Sequence, residues 1–241
     1  MEKYIIHYHE VNYRKELTVP ALLNLMQESA KLSANALGFG VEKMNKQGLA
    51  WVLSRLKIDF STFPKVGESL SIDTKPIEIG RFLTQRDYWI FDDKKNEIAS
   101  ATSQWIVLDV EKRAMISIPD VIRATVLTPV ENAKSPIKEK LQAPKQIDFK
   151  KNYTVNFHQI DFNLHTNNVV YVQWISEAVP DETLWNFDIC SLDIQFKNES
   201  SLNDVVLVET QIIDNQNFIH RIVRESDGKD LVWAKTIWRK R

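Results

Sequence analysis

The stretch LKIDFSTFPKVGESLSIDT, residues 56–74, recurs 136 positions later as LDIQFKNESSLNDVVLVET, residues 192–210. Leu56 falls on Leu192, Ile58 on Ile194, Phe60 on Phe196, Glu68 on Asp204 and Thr74 on Thr210. Both copies alternate apolar and polar residues, the period of a strand with one buried face. Further on, DDKKNEIASATSQW (92–105) matches ESDGKDLVWAKTIW (225–238), each closing on tryptophan. An internal repeat of this length makes the chain two versions of one structural unit.

Upstream, EVNYRKELTVPALLNLM (10–26) sets against DFNLHTNNVVYVQWISE (161–177), with Glu10 on Asp161, Asn12 on Asn163 and Arg14 on His165. Each half then reads as a short strand, a turn, a helix and a run of strands. In the first helix Thr18 caps, Pro20 sits in the first turn, and Gly38 and Gly40 stop it. The second is capped by Asn167 or Asn168, carries Val169, Val172, Ile175 and Val179 on one stripe, and ends at Pro180. Strands are expected over 50–60, 68–79, 82–92 and 98–109, and over 189–197, 204–214, 217–225 and 230–239. Strand follows strand without a helix between, so the sheets should be antiparallel and the class α+β. The domains are then 1–127 and 151–241. The lysine-rich, proline-containing stretch 128–150 links them, either as a solvated tether or as a basic face for an acidic partner.

Composition narrows the function. Lys and Arg number 31 against 32 Asp and Glu, so no global field points to nucleic acid or a membrane. The longest apolar runs fall well short of the ~20 residues that cross a bilayer. A single cysteine, Cys190, implies a reducing, cytoplasmic setting and is expected to be small and buried. No HExxH, CxxC or phosphate-loop pattern occurs, so neither metal nor cofactor is expected.

The chemistry concentrates in Asp161, Asn163 and His165. At strand spacing these would share one side of the chain, just before a helix whose first N–H groups, near Asn167, Asn168 and Val169, could hold a developing oxyanion. The plain alternative is a helix cap, since Asp and Asn often satisfy backbone donors there. The repeat favours chemistry. Arg14 stands opposite His165 and Phe63 opposite Glu199, so the residues that exchange protons near neutral pH occur only in the second copy. For Trp51, Trp89, Trp105 and Trp238 the expectation is core or pocket wall. His7, His9 and His220 are expected to be structural or exposed, and Arg86 and Asp87 to pair within the first sheet.

On these residues the chain resembles the acyl-acyl-carrier-protein thioesterases of bacteria and plant plastids. The signature is DFNLHTNNVVYVQW, with Asp161, Asn163, His165, Asn167, Asn168, Tyr171 and Trp174, followed by Glu199 in FKNES. First-half segments WVLSRLKIDFSTFPKVGESL, RDYWIFDD and ATSQWIVLDVEKRAMISIPD also match, so the likeness covers nearly the whole chain. Ser200 stands where plant members often carry cysteine. The resemblance implies a tandem hotdog fold, each half a long helix wrapped by antiparallel sheet. The first half would hold the acyl chain, with Trp51 in its pocket, and the second would carry catalysis through Asp161, Asn163, His165 and Glu199. Water activated by His165 or Glu199, or direct carboxylate attack through an anhydride, are both compatible with those residues. The substrate would be a fatty acyl thioester on an acidic carrier protein, and the chain a monomer or homodimer. The rival readings are an acyl-coenzyme A thioesterase, a hotdog hydratase or dehydratase, and a non-enzymatic acyl-binding module. Against the hydratase, Asp161 and His165 stand four apart and Leu164, not proline, follows Asn163.

Overall fold

In the computed structural model, residues 1–124, 130, 132–134 and 137–241 are described. The expected boundary at 127/128 and two of the linker prolines, Pro129 and Pro136, lie outside them. The first compact unit, Met1–Lys138, contains β1 (Glu2–Ile5), α1 (Val19–Ala36), α2 (Val41–Asn45), β2 (Leu49–Phe60), β3 (Ser69–Ile79), β4 (Thr84–Asp92), β5 (Glu97–Asp109), β6 (Ala114–Ile116) and α3 (Asp120–Arg123). The second, Glu139–Arg241, contains β7 (Phe149–Thr154), α4 (Asn168–Glu177), α5 (Asp181–Asn186), β8 (Phe187–Phe196), β9 (Val205–Ile212), β10 (Asn217–Arg224) and β11 (Asp230–Lys240).

Strand order in the first unit is β1-β3-β4-β5-β2, and in the second β7-β9-β10-β11-β8, all antiparallel. The repeat is therefore one of register as well as order. Ile58 faces Ala101, and Ile194 faces Ala234. Thr74 faces Tyr88, and Thr210 faces His220. Even the irregularities recur. The ladder skips Ser54 between β2 and β5, and Cys190 between β8 and β11. A skipped residue is a β-bulge, which bends and twists its strand. Cys190 is thus a half-buried bulge residue, not the buried core residue expected.

Helix α1 is capped by Thr18, whose hydroxyl accepts from Ala21 N at 3.3 Å, and ends before Gly38 at φ 81. It packs on β3. Gly40 does not end this helix but caps the short α2. In the second unit α4 stops at Glu177, two residues before the expected end, and Pro180 opens α5 instead. Val172, Ile175, Val179, Leu192, Ile194, Val206, Val208 and Ile222 are fully buried. Each such side chain contributes about 1.5–3 kcal/mol relative to exposure.

The linker is not a free tether. Lys134 N donates to Asp87 Oδ2 at 2.6 Å, and Ile212 N to Asp148 Oδ2 at 2.8 Å. Lys150 pairs with Glu209 at 2.9 Å, and Lys151 Nζ donates to the Glu177 carbonyl. Strand β7 begins at Phe149, inside the stretch expected as linker. Two linker ammonium groups are paired within the units, Lys134 with Glu97 at 3.3 Å and Lys150 with Glu209. Arg86 and Asp87 do not pair, because adjacent residues of a strand face opposite sides. Arg86 donates to Ser33 Oγ and Thr74 Oγ1, and burial lowers its pKa. Asp87 accepts from Thr102 and Gln85, and burial raises its pKa.

His7 and His9 are exposed and stacked, whereas His220 is wholly buried, with Nδ1 2.9 Å from Thr210 Oγ1 and Nε2 2.8 Å from Thr236 Oγ1. Burial pushes its pKa down from 6.5 to about 3. Between those values the unfolded chain takes up a proton that the fold refuses, so stability falls as pH falls through that window. His220→Gln should remove up to about 1.4 kcal/mol per pH unit of this slope. Urea titrations of both proteins from pH 7 to pH 4 check it, and equal slopes contradict it.

Candidate active site

The residues between β7 and α4 form a chain of tight turns. Asn156 N donates to Gln159 Oε1 at 2.8 Å, capping a single 3-10 turn over Phe157–Gln159. Then Asp161 N donates to the His165 carbonyl at 2.8 Å, and Leu164 N to the Asp161 carbonyl at 3.0 Å. Asp161 Oδ1 accepts from Asn163 N at 2.8 Å, an Asx turn, and Leu164 takes φ 65. Asp161, Asn163 and His165 therefore do not alternate along a strand, as their spacing led us to expect. The aspartate side chain offers the backbone an acceptor two residues on, and the chain closes on it. Asn163 is exposed, its amide 3.5 Å from Asp161 Oδ2.

The first copy shows the same turn and corrects the alignment of the halves. Asn12 N donates to the Glu16 carbonyl, Asn12 Oδ1 accepts from Arg14 N, and Lys15 takes φ 64. Thr18 N donates to the Glu10 carbonyl, as Asn167 N does to that of Gln159. Asn12 is thus the counterpart of Asp161, and Glu16, not Arg14, that of His165. Matching letters misplaced this segment by two residues. In the first copy Glu16 pairs with Arg14 at 2.5 Å, and Phe63 stands opposite Glu199.

Glu199 lies just past β8, where the backbone is fixed on several sides. Ser200 is fully buried. Its Oγ lies 2.8 Å from both Thr166 Oγ1 and Tyr171 OH, its N donates to Tyr171 OH at 2.9 Å, and its carbonyl accepts from Thr166 N at 2.9 Å. Arg224 donates to the Glu199 carbonyl and pairs with Asp204 at 3.2 Å. These bonds tie the end of β8 to the turn before α4. They bring His165 Nε2 to 3.0 Å from Glu199 Oε2, with side chains 29% and 52% exposed. Two residues 34 positions apart in sequence thus form a solvent-accessible imidazole–carboxylate pair. Such a carboxylate orients the ring and selects its tautomer.

The expected oxyanion donors differ in availability. Asn167 N donates to the Gln159 carbonyl, and Val169 N to Asn167 Oδ1 at 3.0 Å, because Asn167 is the cap. The Asn168 N–H carries no such bond among the described residues. Trp51 donates its indole N–H to the Phe39 carbonyl at 3.0 Å and packs against Phe39, Met44, Val107, Ile118 and Ile122. Trp89 and Trp238 are buried and Trp105 half-buried. No group of three His, Cys, Asp or Glu suited to a metal occurs among the described residues. Sequence reasoning gave no role to Thr166 or Arg224, since nothing local marks contacts to a segment some 25–34 residues away.

Removing one partner from the buried junction leaves the others unsatisfied. Tyr171→Phe strips the acceptor from Ser200 N–H and should cost about 1–3 kcal/mol in urea unfolding. An unchanged midpoint would show that the junction does not bear on the fold.

The acyl-ACP thioesterase N-terminal domain family matches residues 1–126, and the C-terminal domain family matches residues 142–240. The oleoyl-acyl carrier protein thioesterase 1 of Arabidopsis thaliana is 27% identical over 278 residues, covering 100% of this chain and 76% of that protein. An acyl-[acyl-carrier-protein] hydrolase of Cuphea viscosissima is 26% identical, covering 99% and 62%. An acyl-ACP thioesterase structure from Bacteroides thetaiotaomicron superposes with a TM-score of 0.88 at 22% identity, covering 99% of this chain and 96% of that one. The 12:0-ACP thioesterase of Umbellularia californica gives 0.88 at 23%, covering 100% and 96%. These likenesses establish the tandem hotdog fold. With both halves matched in order by its two domain families, the chain belongs to the acyl-ACP thioesterase family and is a thioester hydrolase.

Proposed function

We propose that the second unit cleaves the thioester through His165 and Glu199, and that the first unit, with Trp51 in its wall, receives the acyl chain. The activity is hydrolysis of fatty acyl-ACP, the step that ends fatty acid synthesis. What carries the residue assignment is the 3.0 Å contact between His165 Nε2 and Glu199 Oε2. With Nε2–H donated to the carboxylate, Nδ1 holds the lone pair and acts as base. It takes a proton from water as the water oxygen bonds to the thioester carbonyl carbon. The carbonyl oxygen becomes an oxyanion, for which the Asn168 N–H at the start of α4 and the exposed Asn163 amide are the available donors. Collapse breaks the C–S bond, and the imidazolium returns its proton to the departing sulfur. Asp161 shapes the turn that presents Asn163 and His165. Location in the cytoplasm belongs to the same reading, supported by the lone cysteine.

Loss of a general base costs on the order of 10²–10⁴ in rate. His165→Ala and Glu199→Gln should each lower kcat for an acyl-ACP by that range, with thiol release as the readout. If both stay within twofold of the parent, the assignment is wrong. A single turnover in ¹⁸O-water distinguishes the two chemical routes. Label in the fatty acid alone fits water attack, whereas label entering Glu199 or Asp161 contradicts it.

A further inference from the structure

The turn that carries His165 also carries large apolar side chains into solvent. Phe157, Phe162 and Leu164 are 72%, 74% and 77% exposed. The hydrogen bonds shared by the two copies make their counterparts Tyr8, Tyr13 and Lys15. These are exposed as well, but each bears a polar end. At all three positions the copy with the imidazole–carboxylate pair has the apolar residue and the other copy the polar one. Leu164 is the most telling. It sits at φ 65, where a bulky side chain is strained, while Lys15 holds the same place at φ 64. Neither folding nor solubility gains from leucine there, and clustered exposed apolar side chains mark interaction sites.

We propose that Phe157, Phe162 and Leu164 form the surface on which the acyl carrier protein lands; this rests on the thioesterase reading above. Leu164 adjoins His165, and Asp161 N closes the turn on the His165 carbonyl, so the patch is continuous with the reacting groups. Those groups are themselves part-exposed, which suits a thioester delivered from outside on a flexible arm. Lys197, two residues before Glu199, is exposed, with its ammonium 3.6 Å from the centre of the Trp233 ring. An apolar patch beside groups that must receive a carrier-bound thioester fits a carrier protein that presents an apolar face.

The test uses the full chain and two forms of one substrate, the same acyl group on the carrier protein and on coenzyme A. Phe162→Ser with Leu164→Asn keeps the turn, since asparagine tolerates positive φ, and Phe157→Ser probes the patch from the neighbouring turn. Each variant should lower kcat/KM for the carrier-bound substrate on the order of tenfold, through KM. Hydrolysis of the coenzyme A thioester should stay within twofold of the parent. Equal losses on both substrates, or no loss on either, overturn the proposal. So does a parent dimer that the variants dissociate, which would make the patch a contact between copies of this chain. A parent that cleaves neither thioester refutes the thioesterase reading instead.

Discussion

Everything proposed for the second unit depends on one buried knot of hydroxyls. Thr166, Tyr171 and Ser200 share short hydrogen bonds, and each has a neighbour or near neighbour that matters. Thr166 follows His165, Ser200 follows Glu199, and Tyr171 lies one turn into α4. Separately, the turn before α4 and the loop after β8 are short irregular segments, the kind that drifts when unanchored. Joined through groups with no access to water, they hold an imidazole and a carboxylate at hydrogen-bonding distance without burying either. A hydroxyl suits this better than a thiol, because it donates and accepts strong hydrogen bonds at once. Ser200 uses both capacities, accepting and donating within the buried knot.

Much of the fold was legible because strands obey a strict period. Expected and observed strands agree within about two residues, and the repeated segments fall on equivalent rungs of the two sheets. Helix starts were legible too, since Thr18 and Asn167 cap as their side chains dictate. The turns were not. The sequence matches Glu10 with Asp161 by type, but the backbone matches Asn12 with Asp161 by hydrogen bonding. Asn and Asp are interchangeable as turn acceptors, so a correct pairing shows little identity, and a wrong one two residues away shows more.

The pair His165–Glu199 was legible only in outline. The sequence contrast set Arg14 opposite His165, whereas the backbone sets Glu16 there, itself a carboxylic acid, so only Glu199 against Phe63 keeps the contrast. A distance of 3.0 Å between residues 34 apart is set by the knot, which no local pattern announces. The oxyanion donors show the opposite error. A helix N-terminus looks like a row of open N–H groups, yet the asparagine that starts this one also occupies Val169 N. Capping and anion binding compete for the same donors.

The paired bulges have a practical corollary. At Ser54 and Cys190 the ladder passes over one residue in each copy. One copy fills the slot with a hydroxyl and the other with the molecule's sole sulfhydryl, half open to solvent. The second unit thereby carries a unique chemical handle. A fluorophore or spin label attached at Cys190 would report on that half alone, with no engineered cysteine and no competing thiol to remove.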